Sequence, residues 1–135
     1  MMISPDIFFD YTEMPQHRPT EIKLRQDSRL LEVVFEGGQT FEFSCEYLRV
    51  HSPSAEVRGH SPEQAVLQTG KEGVNIKDIE PVGNYAIKLV FDDGHDTGLY
   101  TWDYLYELGA AKNKYWQRYL DALERAGHQR TETFS

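Results

Sequence analysis

Six side chains in this sequence are of the kinds that ligate metals or move protons near neutral pH: Cys45 and the histidines His17, His51, His60, His95 and His128. Their spacing excludes several chemistries. No histidine is followed two residues later by Asp or Glu, so the His-x-carboxylate half of a non-haem iron triad is missing. There is no His-Glu-x-x-His helix, P-loop, nucleophile elbow or dinucleotide glycine motif. One cysteine cannot form an intramolecular disulfide or supply two thiolates to a zinc site. Cys45 with a histidine would make a nucleophilic dyad, yet nothing local orients the pair. The plainer reading is a small core residue at the end of a strand.

Two segments gather the remaining polar candidates. The first runs Leu48-Arg49-Val50-His51-Ser52-Pro53-Ser54-Ala55-Glu56, and its His51-Ser52-Pro53 is echoed by His60-Ser61-Pro62. The second runs from Asp92-Asp93-Gly94-His95 to Tyr104-Leu105. There His95 follows a turn and sits among carboxylates, which are expected to raise its pKa. Its alternative role is a turn histidine bonded to backbone. The aromatic residues Tyr100, Trp102, Tyr104 and Tyr106 read as core and rim.

The chain that must position these residues has 135 of them, with 39% hydrophobic and 27% charged, the makeup of one globular domain. Its net charge is −8. Nucleic-acid affinity rests on neutralising phosphates with Lys and Arg, so that class of partner is not expected. Asp6 and Asp10 interrupt the apolar residues near the start, and no basic stretch precedes them, so neither a signal peptide nor a membrane span is expected. A cytoplasmic setting follows.

Residues 1–19 carry three prolines and no periodicity, and read as an irregular arm. Alternation over Ile22–Arg25, Leu31–Glu36 and Thr40–Ser44, with Gly37-Gly38 as a hairpin turn, predicts a three-stranded antiparallel meander. Residues 51–73 read as a long polar loop. Ile76–Val82, with Pro81 suited to an edge, then Tyr85–Phe91 and Leu99–Thr101 predict a second β region. Thr101 caps a short helix that Gly109 ends. Asn113 opens a longer one, with Trp116, Tyr119, Leu120 and Leu123 on one face and Gly127 as its stop. Residues 110–127 are thus the carboxyl-terminal amphipathic helix, and 128–135 a frayed tail. Strands first and helices last predict an α+β fold, antiparallel meander sheets with helices packed on the β core.

The hairpin, the Leu48-Arg49 segment and Asp93-Gly94-His95 leading into Trp102 and Leu105 together resemble the gamma-butyrobetaine hydroxylase-like amino-terminal domain, over residues 20–109. In oxygenases that carry it, this resemblance implies a zinc site of three cysteines and one histidine ahead of a separate catalytic domain. The cysteine positions fall here at Ser52, Ser54 and Val57, and the histidine at His95. Only the histidine keeps its type, so the resemblance implies that the zinc site is largely lost. No counterpart of the oxygenase domain is expected here, because a jelly roll does not fit the remaining residues. The same domain occurs fused to a P-loop scaffold of iron–sulfur cluster assembly, which implies an accessory role.

The expected function is therefore a non-catalytic binding or adaptor domain with a protein partner. Its surface is expected at Arg49, His51, Ser52, Ser54, Glu56 and His60, next to the His95 turn. Arg49 is either an anion partner or a structural ion-pair partner of a loop acid such as Glu56. The alternative is an accessory protein binding zinc or iron through His95 with His51, His60, Cys45 or a carboxylate. A small enzyme built on Cys45 and a histidine is a third option.

Overall fold

The structure, a computed structural model, describes residues 16–59 and 62–131. Most of the arm and the end of the tail thus lie outside the described residues, as does His60. Two three-stranded antiparallel sheets follow each other along the chain, and helices close each of them. The first contains β1 (Pro19–Arg25), β2 (Leu30–Phe35) and β3 (Thr40–Ser44). Period-2 alternation puts Leu31, Val33 and Phe35 on the buried face, where Leu31 pairs with Phe43 and Leu24, and Val33 with Phe41 and Ile22. The glycine hairpin is longer than a two-residue turn. Residues 36–39 connect β2 to β3, and Glu36 N–H donates to Arg18 O.

The second sheet contains β4 (Ile76–Val82), β5 (Ala86–Phe91) and β6 (Leu99–Thr101). Pro81 lies in β4, an edge strand, where its missing N–H breaks no inner ladder. Ile87, Leu89, Phe91 and Tyr100 join the first sheet's apolar face and Leu105 and Leu108 in one core.

Two short helices follow β3, one ahead of the expected 51–73 loop and one inside it. The first, α1 (Cys45–Val50), starts directly from the strand, and Ser44 Oγ accepts the Tyr47 N–H at 3.0 Å. It went unread in the sequence because six residues are too few to show a helical period, and its charged residues, Glu46 and Arg49, are buried with the rest. A single turn, α2 (Ala55–Arg58), interrupts the 51–73 loop, capped by Ser54. A 3-10 turn follows at Pro62–Gln64.

Thr101 caps α3 (Trp102–Ala110), as its type and position foretold, but Gly109 lies inside that helix rather than ending it. A side chain there would overlap the Phe41 ring. Close packing, not termination, is the reason for that glycine. Ala111 then serves as the junction to α4 (Lys112–Arg125), which begins without a side-chain cap. After α4, Gly127 adopts φ +75°, and the His128 N–H reaches Leu123 O at 2.9 Å in a Schellman closure.

The stripe on α4 lies over α1 and, through Trp116, against the main core. Tyr119 and Leu123 pack on Val50, with half-buried Trp116 against the same cluster and the main core. The tail was expected to fray, yet through Thr131 it lies back on the protein. Arg130 forms a double hydrogen bond to Glu46 and stacks 5.2 Å over Trp116.

Candidate functional site

The helix α1 delivers Arg49 to the interior, where it is 7% exposed. A buried guanidinium needs partners for its charge and its donors. Its Nε donates to Asp93 Oδ2 at 2.9 Å and its Nη1 to Gln68 Oε1 at 2.9 Å. Lys71 Nζ reaches the same Asp93 oxygen at 2.7 Å, and the His95 N–H donates to Oδ1 at 3.1 Å. Burial alone would raise the Asp93 pKa, but Lys71, the His95 amide and Arg49 outweigh it and bring it down to about 2. Arg49 therefore has an internal ion partner, and that partner is Asp93 rather than Glu56.

Glu56 is committed elsewhere. Its Oε1 lies 3.0 Å from His95 Nδ1 and accepts the Thr97 hydroxyl at 3.1 Å. On the other side of the ring, His95 Nε2 lies 2.8 Å from Ser52 Oγ, across 43 residues of sequence. These partners assign the tautomer, since a carboxylate only accepts: Nδ1–H donates to Glu56, and Nε2 accepts the Ser52 O–H. Ser54 completes the arrangement. Its hydroxyl lies 2.7 Å from Thr97 Oγ1 and accepts the Glu56 N–H at 3.2 Å.

The His95 pKa is lowered, contrary to the sequence expectation. Burial lowers it first and Arg49 lowers it further, against the opposing pull of Glu56 and Asp93. The imidazole is thus held in the neutral form that this tautomer requires.

Ser52, His95 and Glu56 stand in the order of a hydroxyl–imidazole–carboxylate relay. Access argues against its use as one. Ser52 is 1% exposed, and Gly98 approaches so closely that a Cβ there would stand 2.5 Å from Ser52 Oγ. The Ser54 N–H points at the Ser52 hydroxyl itself, 3.2 Å away, rather than at a place where an oxyanion would form. The polar groups of the two segments are satisfied by one another. What the arrangement does is fasten the 52–56 segment to the 93–97 turn.

The donors present do not fit the zinc site that the resemblance implies. Ser52 and Ser54 offer neutral hydroxyls, Val57 offers no donor, and both nitrogens of His95 have protein partners. Among the described residues, no three His, Cys, Asp or Glu side chains converge on a point that could hold a metal. His95 is therefore the centre of a hydrogen-bonded clasp.

Cys45 is fully buried, and its thiol lies 3.6 Å from Asn75 Oδ1 rather than near a histidine. Burial pushes its pKa up to about 11, which removes the nucleophilic thiolate at neutral pH.

His51 stands outside the clasp. Its Nδ1–H donates to Tyr47 O at 2.8 Å, and burial, with Arg58 beside it, lowers its pKa. Its ring meets Tyr115 and Tyr119 in a groove of about 380 Å³ that Arg58, Tyr104, Glu107 and Arg118 complete. Of the expected surface, then, Ser52, Ser54, Glu56 and His95 come together, Arg49 joins them through Asp93, and His51 belongs to the groove. The sequence reading missed Thr97 and Gln68 as partners, and it missed the groove altogether. Thr97 lies within the segment already singled out, but Arg58 and Arg118 share no local pattern.

The family model described as gamma-butyrobetaine hydroxylase-like, N-terminal, matches residues 22–106. A protein with an NMR solution structure is 53% identical, over 87% of this chain and 89% of its own, with a TM-score of 0.73. A second NMR structure is 46% identical, over 90% of this chain and 95% of its own, at 0.76. A crystal structure from Acidithiobacillus ferrooxidans, of a protein with unknown function in the DUF971 family, is 41% identical. It covers 69% of this chain and 93% of its own, at 0.59. No curated protein matches the chain.

Proposed function

The chain belongs to the gamma-butyrobetaine hydroxylase-like, N-terminal family, and from that premise we propose that it is a non-catalytic, protein-binding adaptor module of the cytoplasm. One observation carries the reading: the groups with chemical potential face inward, and they hold a loop whose outer side is exposed. Ser52, Ser54 and His95 are buried, whereas Ala55, Glu56 and Arg58 on the same segment face solvent. A loop fastened at two points presents its outer face with little ordering left to do on binding, which lowers the entropic cost of association. Catalysis would ask the reverse, an open hydroxyl and an empty space before it.

The experiment is photocrosslinking in cells from a photoreactive residue at Ala55. One discrete protein adduct, diminished when His95→Ala unfastens the loop, is the expected result. Ester or amide hydrolysis by the purified chain that Ser52→Ala abolishes, with no adduct from Ala55, would replace the adaptor reading with an enzymatic one.

A further inference from the structure

We propose that the groove between α2, α3 and α4 binds a short acidic segment of a partner protein, its carboxylates pairing with Arg58 and Arg118. The inference rests on the adaptor reading and names the chemistry of the partner. Arg58 lies 4.7 Å over the Tyr104 ring and Arg118 lies 5.4 Å over the Tyr115 ring. Both residues are exposed, and among the described residues neither is in an ion pair. The groove also holds one carboxylate, Glu107, whose Oε2 accepts the Tyr115 hydroxyl at 2.5 Å, so two guanidiniums face a single acidic group. In a chain with 22 acidic residues against 14 basic ones, two such guanidiniums facing one groove are a local exception. A guanidinium stacked on a ring keeps its donors in its own plane, the geometry that a carboxylate meets with two bonds.

The floor is set in advance. Tyr104 O–H donates to His51 O and Tyr119 O–H to Gln68 O, each at 2.7 Å, so both rings are fixed before any partner arrives. The loop before Gln68 adds apolar surface. Val66 N–H donates to Val57 O, next to Arg58, and Val66 and Leu67 are 55% and 36% exposed. Two cations, a tyrosine floor and neighbouring apolar side chains suit a peptide with both acidic and aliphatic residues better than a small anion. The net charge of −8 opposes long-range attraction of such a partner, so the pairing must act at contact distance.

The test is a backbone-amide chemical-shift titration of the full chain with three probes. These are an amidated peptide of alternating glutamate and leucine, the same peptide with glutamine for glutamate, and inorganic phosphate. The acidic peptide is expected to shift Arg58, Tyr104, Tyr115 and Arg118. Binding should weaken roughly tenfold or more for the glutamine peptide and for the Arg58→Gln/Arg118→Gln double variant. If that variant has an altered melting temperature, the two single variants are read instead, and each should weaken binding. Equal binding of the glutamine peptide would reduce the groove to an apolar contact, and equal shifts with phosphate would make it a small-anion site. Either of those results overturns the proposal, as does silence with the acidic peptide. An Ala55 adduct that persists while the acidic peptide fails removes the groove proposal and leaves the adaptor reading standing.

Discussion

Replacing His95 by alanine should destabilise the fold by about 3 kcal/mol, a figure that follows from its three kinds of contact. The Ser52 O–H bond to Nε2 is buried at both ends, and its loss costs about 1 kcal/mol. The Nδ1–H bond to Glu56 adds only a few tenths of a kcal/mol, because that carboxylate is 64% exposed and solvent screens it. Truncating a ring that is 6% exposed and packed near Phe91 removes about 1–2 kcal/mol of packing. Ser52→Ala should cost about 1–2 kcal/mol, since the Ser54 N–H loses its acceptor as well. The assay is urea unfolding of the wild type, both single variants and the double variant, where the pair should show coupling of about 1 kcal/mol. A pH arm checks the protonation argument. The folded pKa of His95 lies below its ordinary 6.5, so below pH 6.5 the unfolded chain takes up a proton that the folded chain resists. Wild-type stability should therefore fall as pH drops from 6.5 toward the lowered folded value, and should be insensitive to this group above 6.5. His51 adds a slope of the same sign, so the difference between wild type and His95→Ala isolates His95. Coupling under about 0.3 kcal/mol, or identical pH slopes in wild type and variant, would refute the clasp.

Other perturbations probe the frame around that clasp. Leu31→Ala and Phe43→Ala, at fully buried positions paired across β2 and β3, should each cost about 2–5 kcal/mol in the same urea assay. Gly109→Ala should lower the melting temperature. The helix-propensity gain of about 1 kcal/mol is outweighed by overlap with the Phe41 ring, and Phe41→Ala in the same chain should relieve the overlap. Cys45 should react with a thiol reagent at neutral pH only as fast as the chain opens, because its thiol is buried and its pKa is raised to about 11. Rapid labelling of the native protein would place that side chain elsewhere.

Much of the architecture was legible because its causes are local. Leu31, Val33 and Phe35 alternate with partly exposed neighbours, so a strand with one buried face follows from a period of two alone. Thr101 ahead of Asp103 marks a helix start, its Oγ1 accepting the Tyr104 N–H. Gly127 marks a helix end through a backbone conformation that few other residues tolerate. A helix as short as α1 sends no such signal, for six residues span under two turns and its Glu46 and Arg49 point to buried partners rather than to solvent. The place of Gly109 was likewise decided by Phe41, a residue of β3 brought against α3 only in the folded chain.

The site divides along the same line. The sequence singled out Arg49, His51, Ser52, Ser54, Glu56, His60 and His95 as polar candidates, and passed over Thr97 and Gln68. Only the tertiary structure decided how they are joined, since the Ser52–His95 contact spans 43 residues and depends on where α1 and the 92–98 turn come to rest. It also reversed the electrostatic reading. Adjacent carboxylates in sequence argued for a raised histidine pKa, but desolvation and the buried Arg49 outweigh them once the side chain is inside. Arg58 and Arg118 met in one groove for the same reason: neighbours in space are chosen by packing, which no linear spacing encodes.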